Sequence, residues 1–161
     1  MPQATCFGVQ HRRSAVLTLA AACAAALLTG PAPARAGALE QATLREINET
    51  RVEHGLGRLQ MHEGLSAAAA DQSRWMADND VLGHRPGLLD RLRAVTPAQD
   101  VWGETVAWMP GSRTTMARRT VRAWLRSPAH REILLMAPLR LAGVAEARGD
   151  DGVFITADFA G

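Results

Sequence analysis

The chain has 161 residues, of which 47% are hydrophobic and 21% are charged, and its formal net charge is +2. That length is typical of a single domain with a core of ordinary size. All 18 basic residues are arginines, which excludes lysine Schiff bases and lysine nucleophiles.

The first 36 residues have the pattern of a signal peptide. Arg12 and Arg13 precede an uncharged apolar run, Ala15 to Leu28, which is too short for a comfortable membrane span. The small-x-small tripeptide Ala34-Arg35-Ala36 predicts cleavage before Gly37 and leaves a mature domain over residues 37–161. An uncleaved membrane anchor is the alternative interpretation.

The leader also predicts where the protein is found. An arginine pair suggests twin-arginine export, but Ala15 stands where that signal usually has phenylalanine, so the general secretory route is favoured. Either route gives a secreted, extracellular or periplasmic protein. We expect no membrane span after cleavage.

Removal of the leader changes the chemistry of the chain. Both cysteines, Cys6 and Cys23, lie in it, so the mature domain has neither disulfides nor a cysteine nucleophile. Three of the 18 arginines and none of the 16 acidic residues go with it, which leaves 15 basic and 16 acidic residues and a net charge of −1. That balance lacks the basic footprint of a nucleic-acid-binding protein.

Apolar residues at helical spacing, with glycine or polar residues at the ends, predict five helices in the mature domain. They cover Leu39 to His54, Glu63 to Asn79, Leu88 to Val95, Thr114 to Leu125, and Ala129 to Met136.

The remaining segments are extended in this interpretation. Leu139 to Ala147 and Val153 to Phe159 predict two strands, joined by a hairpin turn at residues 149–152. Val101 to Trp108 is a strand or an extended loop, and Leu56 to Met61 is a short extended link. Helices followed by a hairpin indicate an α+β fold in which helices pack on a small antiparallel sheet.

Ser127-Pro128 is a typical helix start that places His130 in the first helical turn. We expect Ser127 to cap free N–H groups and Pro128 to occupy the first helical position, where no N–H is needed. The positive end of the helix dipole disfavours an imidazolium at His130. A neutral imidazole can bind a metal or act as a base.

Two further polar residues lie in unusual places, His84 before Arg85-Pro86 and Glu104 after Gly103. Two histidines and a carboxylate can hold a divalent metal with an open position for water, which supports hydrolysis. Taken singly, each residue is equally compatible with a surface loop, a cap or a solvated turn.

His84, the Gly103-Glu104 pair and Trp124-x-x-Ser-Pro-x-His-Arg occur in an order that resembles the CAP superfamily of cysteine-rich secretory, antigen 5 and pathogenesis-related proteins. The closer likeness is to its short bacterial SCP-like branch. Asn48 and Arg51, in an Asn-x-x-Arg pattern, and the closing hairpin agree with it. The resemblance covers nearly all of the mature chain and implies the α-β-α sandwich of that family.

The resemblance also implies a cleft lined by two histidines and acidic residues. Matching by motif makes His84 the first histidine, Glu104 the acid of the Gly-Glu-Asn segment and His130 the second histidine. The chain departs from the family twice. Thr105 replaces the usual asparagine, and no second acid occurs in residues 124–127, as in most short bacterial members.

Three hypotheses follow from this pattern. The favoured one is a secreted binding module without turnover, whose ligand is a lipid, an envelope polymer or a protein. The alternative is a hydrolase of peptide or cell-wall material, in which His84 and His130 hold zinc or another divalent cation and Glu104 orients or deprotonates water. In the third, His84, Glu104 and His130 form a structural polar network.

The predicted fourth helix also carries a basic face. Its arginines are Arg118, Arg119, Arg122 and Arg126. This face is either simply solvated or a contact for anionic envelope polymers or lipid headgroups.

Overall fold

The computed structural model of the protein describes residues 37–161. The predicted leader, its cleavage site and both cysteines lie outside the described residues. Between residues 37 and 161, no helix combines the length and the apolar character needed to cross a membrane.

Five helices and four strands make up the described chain. The helices are α1 (Ala38–Glu53), α2 (Glu63–Asn79), α3 (Leu88–Val95), α4 (Met116–Arg126) and α5 (Pro128–Leu134). The strands are β1 (Gln60–Met61), β2 (Trp102–Met109), β3 (Leu141–Arg148) and β4 (Val153–Ala160).

The sheet has the strand order β1-β3-β4-β2. The predicted hairpin of β3 and β4 is confirmed, with Gly149 N–H donating to Gly152 O across the turn. The segment left open between strand and loop is β2, which pairs antiparallel with β4 along its whole length. The predicted small antiparallel sheet is extended into a mixed sheet, because the two-residue β1 adds a parallel pairing to β3.

Side chains alternate between the two faces of the sheet, and each face is covered by helices. The first face packs on α1, α4 and α5 in one large apolar cluster that includes Ile47, Trp124 and Leu134. The second face packs on α2 and α3 through two smaller clusters built around Leu65 and Met76. The result is the predicted α-β-α sandwich, an α+β fold.

Gly143 of β3 sets how closely α2 approaches the second face. A Cβ atom at this position would overlap the backbone of Leu65 and Ser66. The missing side chain therefore lets the α2 backbone lie directly on the sheet.

Arg51 ties α1 to the segment before β3. Its fully buried guanidinium donates from Nε to Gly57 O (2.9 Å), from Nη1 to Leu134 O (2.8 Å) and Met136 O (3.1 Å), and from Nη2 to Leu139 O (3.4 Å). Burial, and then the charge of Arg140, lower the pKa of Arg51.

Asn48 fixes the link that follows α1 in a similar way. Its amide donates to Leu59 O (3.0 Å) and accepts from Leu59 N (2.7 Å). The Asn-x-x-Arg pattern thus has a structural role, because both of its side chains form hydrogen bonds with main-chain groups.

Two details around α4 and α5 differ from the sequence prediction. A 3₁₀ turn at Arg113–Thr115 precedes α4, which therefore begins later than expected. Pro128 does occupy the start of α5, but the predicted cap is wrong because the side chain of Ser127 makes no capping hydrogen bond. The N–H of Arg131 still bonds to the main-chain oxygen of Ser127 (2.8 Å), so the helix starts without the hydroxyl.

Candidate functional site

The candidate site lies at β2, which forms one edge of the sheet. The α2–α3 loop brings His84 to this edge, β2 itself supplies Glu104, and α5 supplies His130. On the α5 side, the side chain of Ile133 packs where Gly103 has none, so a Cβ atom at Gly103 would lie 2.7 Å from Ile133 Cγ2. The close approach of α5 to β2 thus depends on the glycine before Glu104.

Glu104 is the buried centre of the site, with a side chain that is 0% exposed. His84 Nδ1–H donates to its Oε1 at 2.6 Å, and Arg91 Nη2 donates to its Oε2 at 3.4 Å. Both carboxylate oxygens are therefore engaged by neighbouring side chains. These two hydrogen bonds fix the carboxylate, which in turn orients the His84 ring.

Gln72 of α2 holds the loop that carries His84. Its amide donates to Gly83 O (2.7 Å), and its Oε1 accepts from Arg85 Nε (3.1 Å) and Arg91 Nη2 (3.3 Å). Arg85 is also paired with Asp71, and that contact lowers the pKa of the Asp71 carboxyl. The position of His84 is therefore set by α2 and α3 as well as by β2.

His130 faces His84 from the opposite side of the site. The two ring centroids are 6.1 Å apart with an edge-to-face angle of 68°. Burial, and then the nearby His84, lower the pKa of His130. The imidazole is thus favoured in its neutral form, as the sequence predicted, through burial and a second histidine.

The structure brings together the three residues singled out in the sequence, through one direct hydrogen bond and one ring contact. Two neighbours of Glu104 were not anticipated: Arg91, from an ordinary amphipathic helix, and Asp158, from the closing strand. Strand pairing is the signal that finds Asp158, because it lies directly opposite Glu104 in the β2–β4 register.

Asp158 is 1% exposed, and neither of its carboxyl oxygens accepts a hydrogen bond from a donor in residues 37–161. Burial, and then the negative charge of Glu104, raise the pKa of Asp158 well above its usual range, and a hydrogen bond to Glu104 acts in the same direction. A second acid is thus present beside Glu104, and it comes from β4 rather than from residues 124–127.

Thr105, which replaces the asparagine usual in the family, faces the opposite side of β2. Its hydroxyl is buried and lacks a partner among residues 37–161. It therefore does not substitute for an amide in the site.

The residues of the site offer a limited set of ligands to a divalent metal. Two imidazoles that share a zinc ion through bonds of about 2.0–2.1 Å have ring centroids roughly 5–6 Å apart, close to the 6.1 Å between His84 and His130. Glu104 is already bonded to His84 Nδ1, which leaves Nε2 of that ring available. Across residues 37–161, however, no group of three or more His, Cys, Asp or Glu side chains is arranged to hold a metal.

The arrangement therefore fits a weak two-histidine site with Glu104 as the orienting carboxylate. It does not fit the three protein ligands that are usual in a catalytic zinc centre.

A sequence profile of CAP, the cysteine-rich secretory protein family, matches residues 44–159. The chain belongs to the CAP family. No curated protein sequence matches the chain. The helix–sheet–helix layers described above are therefore those of a CAP domain.

Solved structures similar to this CAP domain include bacterial proteins. An outer surface protein of Borrelia burgdorferi superposes with a TM-score of 0.65 at 21% identity, over 74% of this chain and 90% of that one. An extracellular protein of Bacillus anthracis that contains an SCP domain gives a TM-score of 0.63 at 26% identity, over 76% of this chain. This chain spans only 40% of the Bacillus protein.

The protein NaASP2, whose structure was determined with Zn²⁺, has the same fold. Its TM-score is 0.59 at 11% identity, over 81% of this chain and 83% of that one. At that identity the likeness concerns the fold alone.

Proposed function

We propose that this chain is an exported CAP-domain binding module, with its mature domain at residues 37–161. Its ligand is a lipid, an envelope polymer or a protein segment that binds in a cleft lined by His84 and His130. Export is supported by the signal-peptide pattern of residues 1–36 and by the extracellular SCP-domain relative from Bacillus anthracis.

The observation that carries the proposal is the state of Glu104. A general base must come within hydrogen-bond reach of the proton it removes. The Glu104 side chain is 0% exposed, and its two oxygens already accept from His84 and Arg91. The carboxylate is therefore arranged to hold His84 in place, which suits a binding surface better than proton transfer to water.

Hydrolysis is the second candidate function, and one feature favours it. A neutral His130 and a His84 oriented through Nδ1 leave ring nitrogens for a divalent cation, and zinc is bound in the NaASP2 structure. A bound zinc ion supplies Lewis acidity and lowers the pKa of its water. In this chain His84 and His130 would hold the ion, Glu104 would orient His84, and two histidines alone predict weak affinity.

Binding is tested by co-sedimentation of the purified chain with insoluble peptidoglycan and, separately, with phospholipid vesicles. We expect one of the two materials to capture the protein. His130→Trp, which fills the cleft, should reduce capture at least about tenfold, a loss of roughly 1.4 kcal/mol. Ala67→Trp, at an exposed position on α2, is the matched control and should bind like the wild type.

Three outcomes separate the candidate functions. Equal capture by both tryptophan variants contradicts binding at His84 and His130, and no capture of either material excludes a lipid or an envelope polymer as the ligand. Release of soluble fragments that is abolished by a chelator and by Glu104→Gln establishes the hydrolase instead.

Calorimetric titration of Zn²⁺ tests the two-histidine site directly. The double variant His84→Ala/His130→Ala should lose any binding that the wild type shows. His54→Ala, at an exposed histidine at the end of α1, should keep it. Binding that survives in the double variant would place the metal elsewhere.

A further inference from the structure

Two carboxyl side chains lie side by side beneath His84. Glu104 of β2 and Asp158 of β4 are direct partners in the antiparallel register, and each residue is 1% exposed. Side chains at paired positions of neighbouring strands project from the same face, so both carboxyls lie on the face covered by α2. Gly143, the partner of Asp158 on β3, lets the α2 backbone close over this point and exclude water.

The two carboxyls have different surroundings. Glu104 accepts hydrogen bonds from His84 and Arg91. In the described chain, no side chain donates to either oxygen of Asp158, and the acid next to it is Glu104 itself. Two anions at this depth would face the single guanidinium of Arg91.

Like charges that share a buried site do not both ionise, and the proton stays on the group with the poorer donors. Glu104 accepts hydrogen bonds from a cation and an imidazole N–H, whereas Asp158 accepts from neither and feels Arg91 only through its charge. A protonated Asp158 gains an O–H donor, and Glu104 beside it is an acceptor. One proton on Asp158 therefore gives this acid a partner and adds a third hydrogen bond to Glu104.

We propose that Asp158 is a positioning residue, which is held as the neutral acid and donates a hydrogen bond to Glu104. Glu104 then remains a carboxylate that accepts from Nδ1–H of His84, and this bond fixes the His84 ring with Nε2 toward the cleft. Asp158 acts through Glu104 and does not touch the ligand. The inference deepens the proposed binding function, because Nε2 is then the atom that an incoming ligand meets. The hydrogen bonds from Asp158 to Glu104 and from His84 to Glu104 are expected in the ligand-free protein.

Infrared difference spectra of the ligand-free chain, wild type minus Asp158→Asn at neutral pH, test the protonation state. We expect the carbonyl stretch of a protonated carboxyl in the wild type and its loss in the isosteric amide variant. A difference spectrum that shows only an ionised carboxylate overturns the proposal.

Nitrogen NMR of the histidine rings tests the positioning role. Asp158→Asn keeps an N–H donor toward Glu104, so His84 should stay in the tautomer with hydrogen on Nδ1. Asp158→Ala removes the donor, and Arg91 can then take both Glu104 oxygens, so His84 should become a mixture of tautomers. Equal disturbance of His84 in the two variants overturns the proposal.

The infrared and NMR measurements use the ligand-free chain, so their results do not depend on whether the proposed binding function is correct. If Asp158→Ala does not fold, the comparison of wild type with Asp158→Asn still decides. A chain that shows the protonated carboxyl and one His84 tautomer, but is captured equally well as wild type and as His130→Trp, contradicts the proposed function alone.

Discussion

The two faces of the sheet differ in what they bury. The face on α1, α4 and α5 is one large apolar cluster with several buried threonines, and among residues 37–161 its one buried charge is Arg51. The face on α2 and α3 buries the polar groups Gln72, Ser73, Glu104, Thr156 and Asp158 beside two smaller apolar clusters. Because alternate residues of the same strands serve the two faces, β2 and β4 contribute to the stability of one side and to the chemistry of the other.

Arg51 gives the largest expected effect and tests the apolar face. Arg51→Met removes four hydrogen bonds to buried or partly buried carbonyl oxygens. Since leaving a buried acceptor unsatisfied costs roughly 1–3 kcal/mol, we expect the free energy of unfolding in urea to fall by at least about 3 kcal/mol. Arg51→Lys keeps the charge but not the planar donors and should lie between. A loss below about 1 kcal/mol in the methionine variant would remove Arg51 from this role.

Gly143→Ala tests how closely α2 covers the polar face. The added methyl group would overlap the backbone of Leu65 and Ser66, and overpacking typically costs about 1–3 kcal/mol. Gly57→Ala is the matched control, because nothing lies within 4 Å of its added Cβ and its φ is not positive. Equal unfolding midpoints for the two variants would show that α2 can move away freely.

His130→Gln tests the candidate site through the pH dependence of the free energy of unfolding. The pKa of His130 is lowered in the folded protein, so the unfolded chain binds more protons near its ordinary pKa of about 6.5. The contribution of the neutral ring is complete above that pH and is lost as pH falls toward the folded pKa.

The stability of the wild type should therefore fall more steeply than that of His130→Gln between about pH 7 and pH 5, with a difference in slope of at most about 1.4 kcal/mol per pH unit. Urea unfolding at several pH values measures both slopes. Parallel curves would contradict a neutral, buried His130.

The smallest effect is expected on the outer surface of α4. Arg118, Arg122 and Arg126 are exposed and make no hydrogen bond or ion pair with other described residues, whereas Arg119 donates to Pro110 O at 3.0 Å. Arg118→Gln/Arg122→Gln should change the free energy of unfolding by no more than about 0.5 kcal/mol. Reduced sedimentation with anionic vesicles or peptidoglycan at unchanged stability would make the face a contact surface, and unchanged sedimentation would make it a solvated one.

The elements of the fold and the residues of the site differ in how far the sequence predicts them. Helix α2 was predicted with its observed ends, because its apolar spacing is regular and the chain leaves it at Asp80 in a left-handed conformation. The motif residues His84, Glu104 and His130 were found because their order along the chain resembles a family. Asp158 was missed because nothing in a hydrophobic strand indicates which residue of another strand lies opposite.

The absent Ser127 cap and the parallel β1–β3 pairing, which the sequence did not predict, have a similar cause. A side chain that can cap, such as Ser127, does so only where its rotamer reaches a free N–H, and here the helix begins without it. The parallel pairing of β1 spans only two residues, which is too short to leave a periodic pattern. Local propensity therefore placed the elements, and contacts between distant segments decided the site.

The contacts of Arg51 also bear on the order in which the domain can assemble. Three of its four hydrogen bonds reach carbonyl oxygens that lie 83 to 88 residues further along the chain. Contacts of such long sequence separation form slowly, because a long loop must close first. During synthesis, which proceeds from the N-terminus, Arg51 lacks most of its hydrogen-bond acceptors until Leu139 has been made. The fold can therefore be completed only when nearly the whole chain is present.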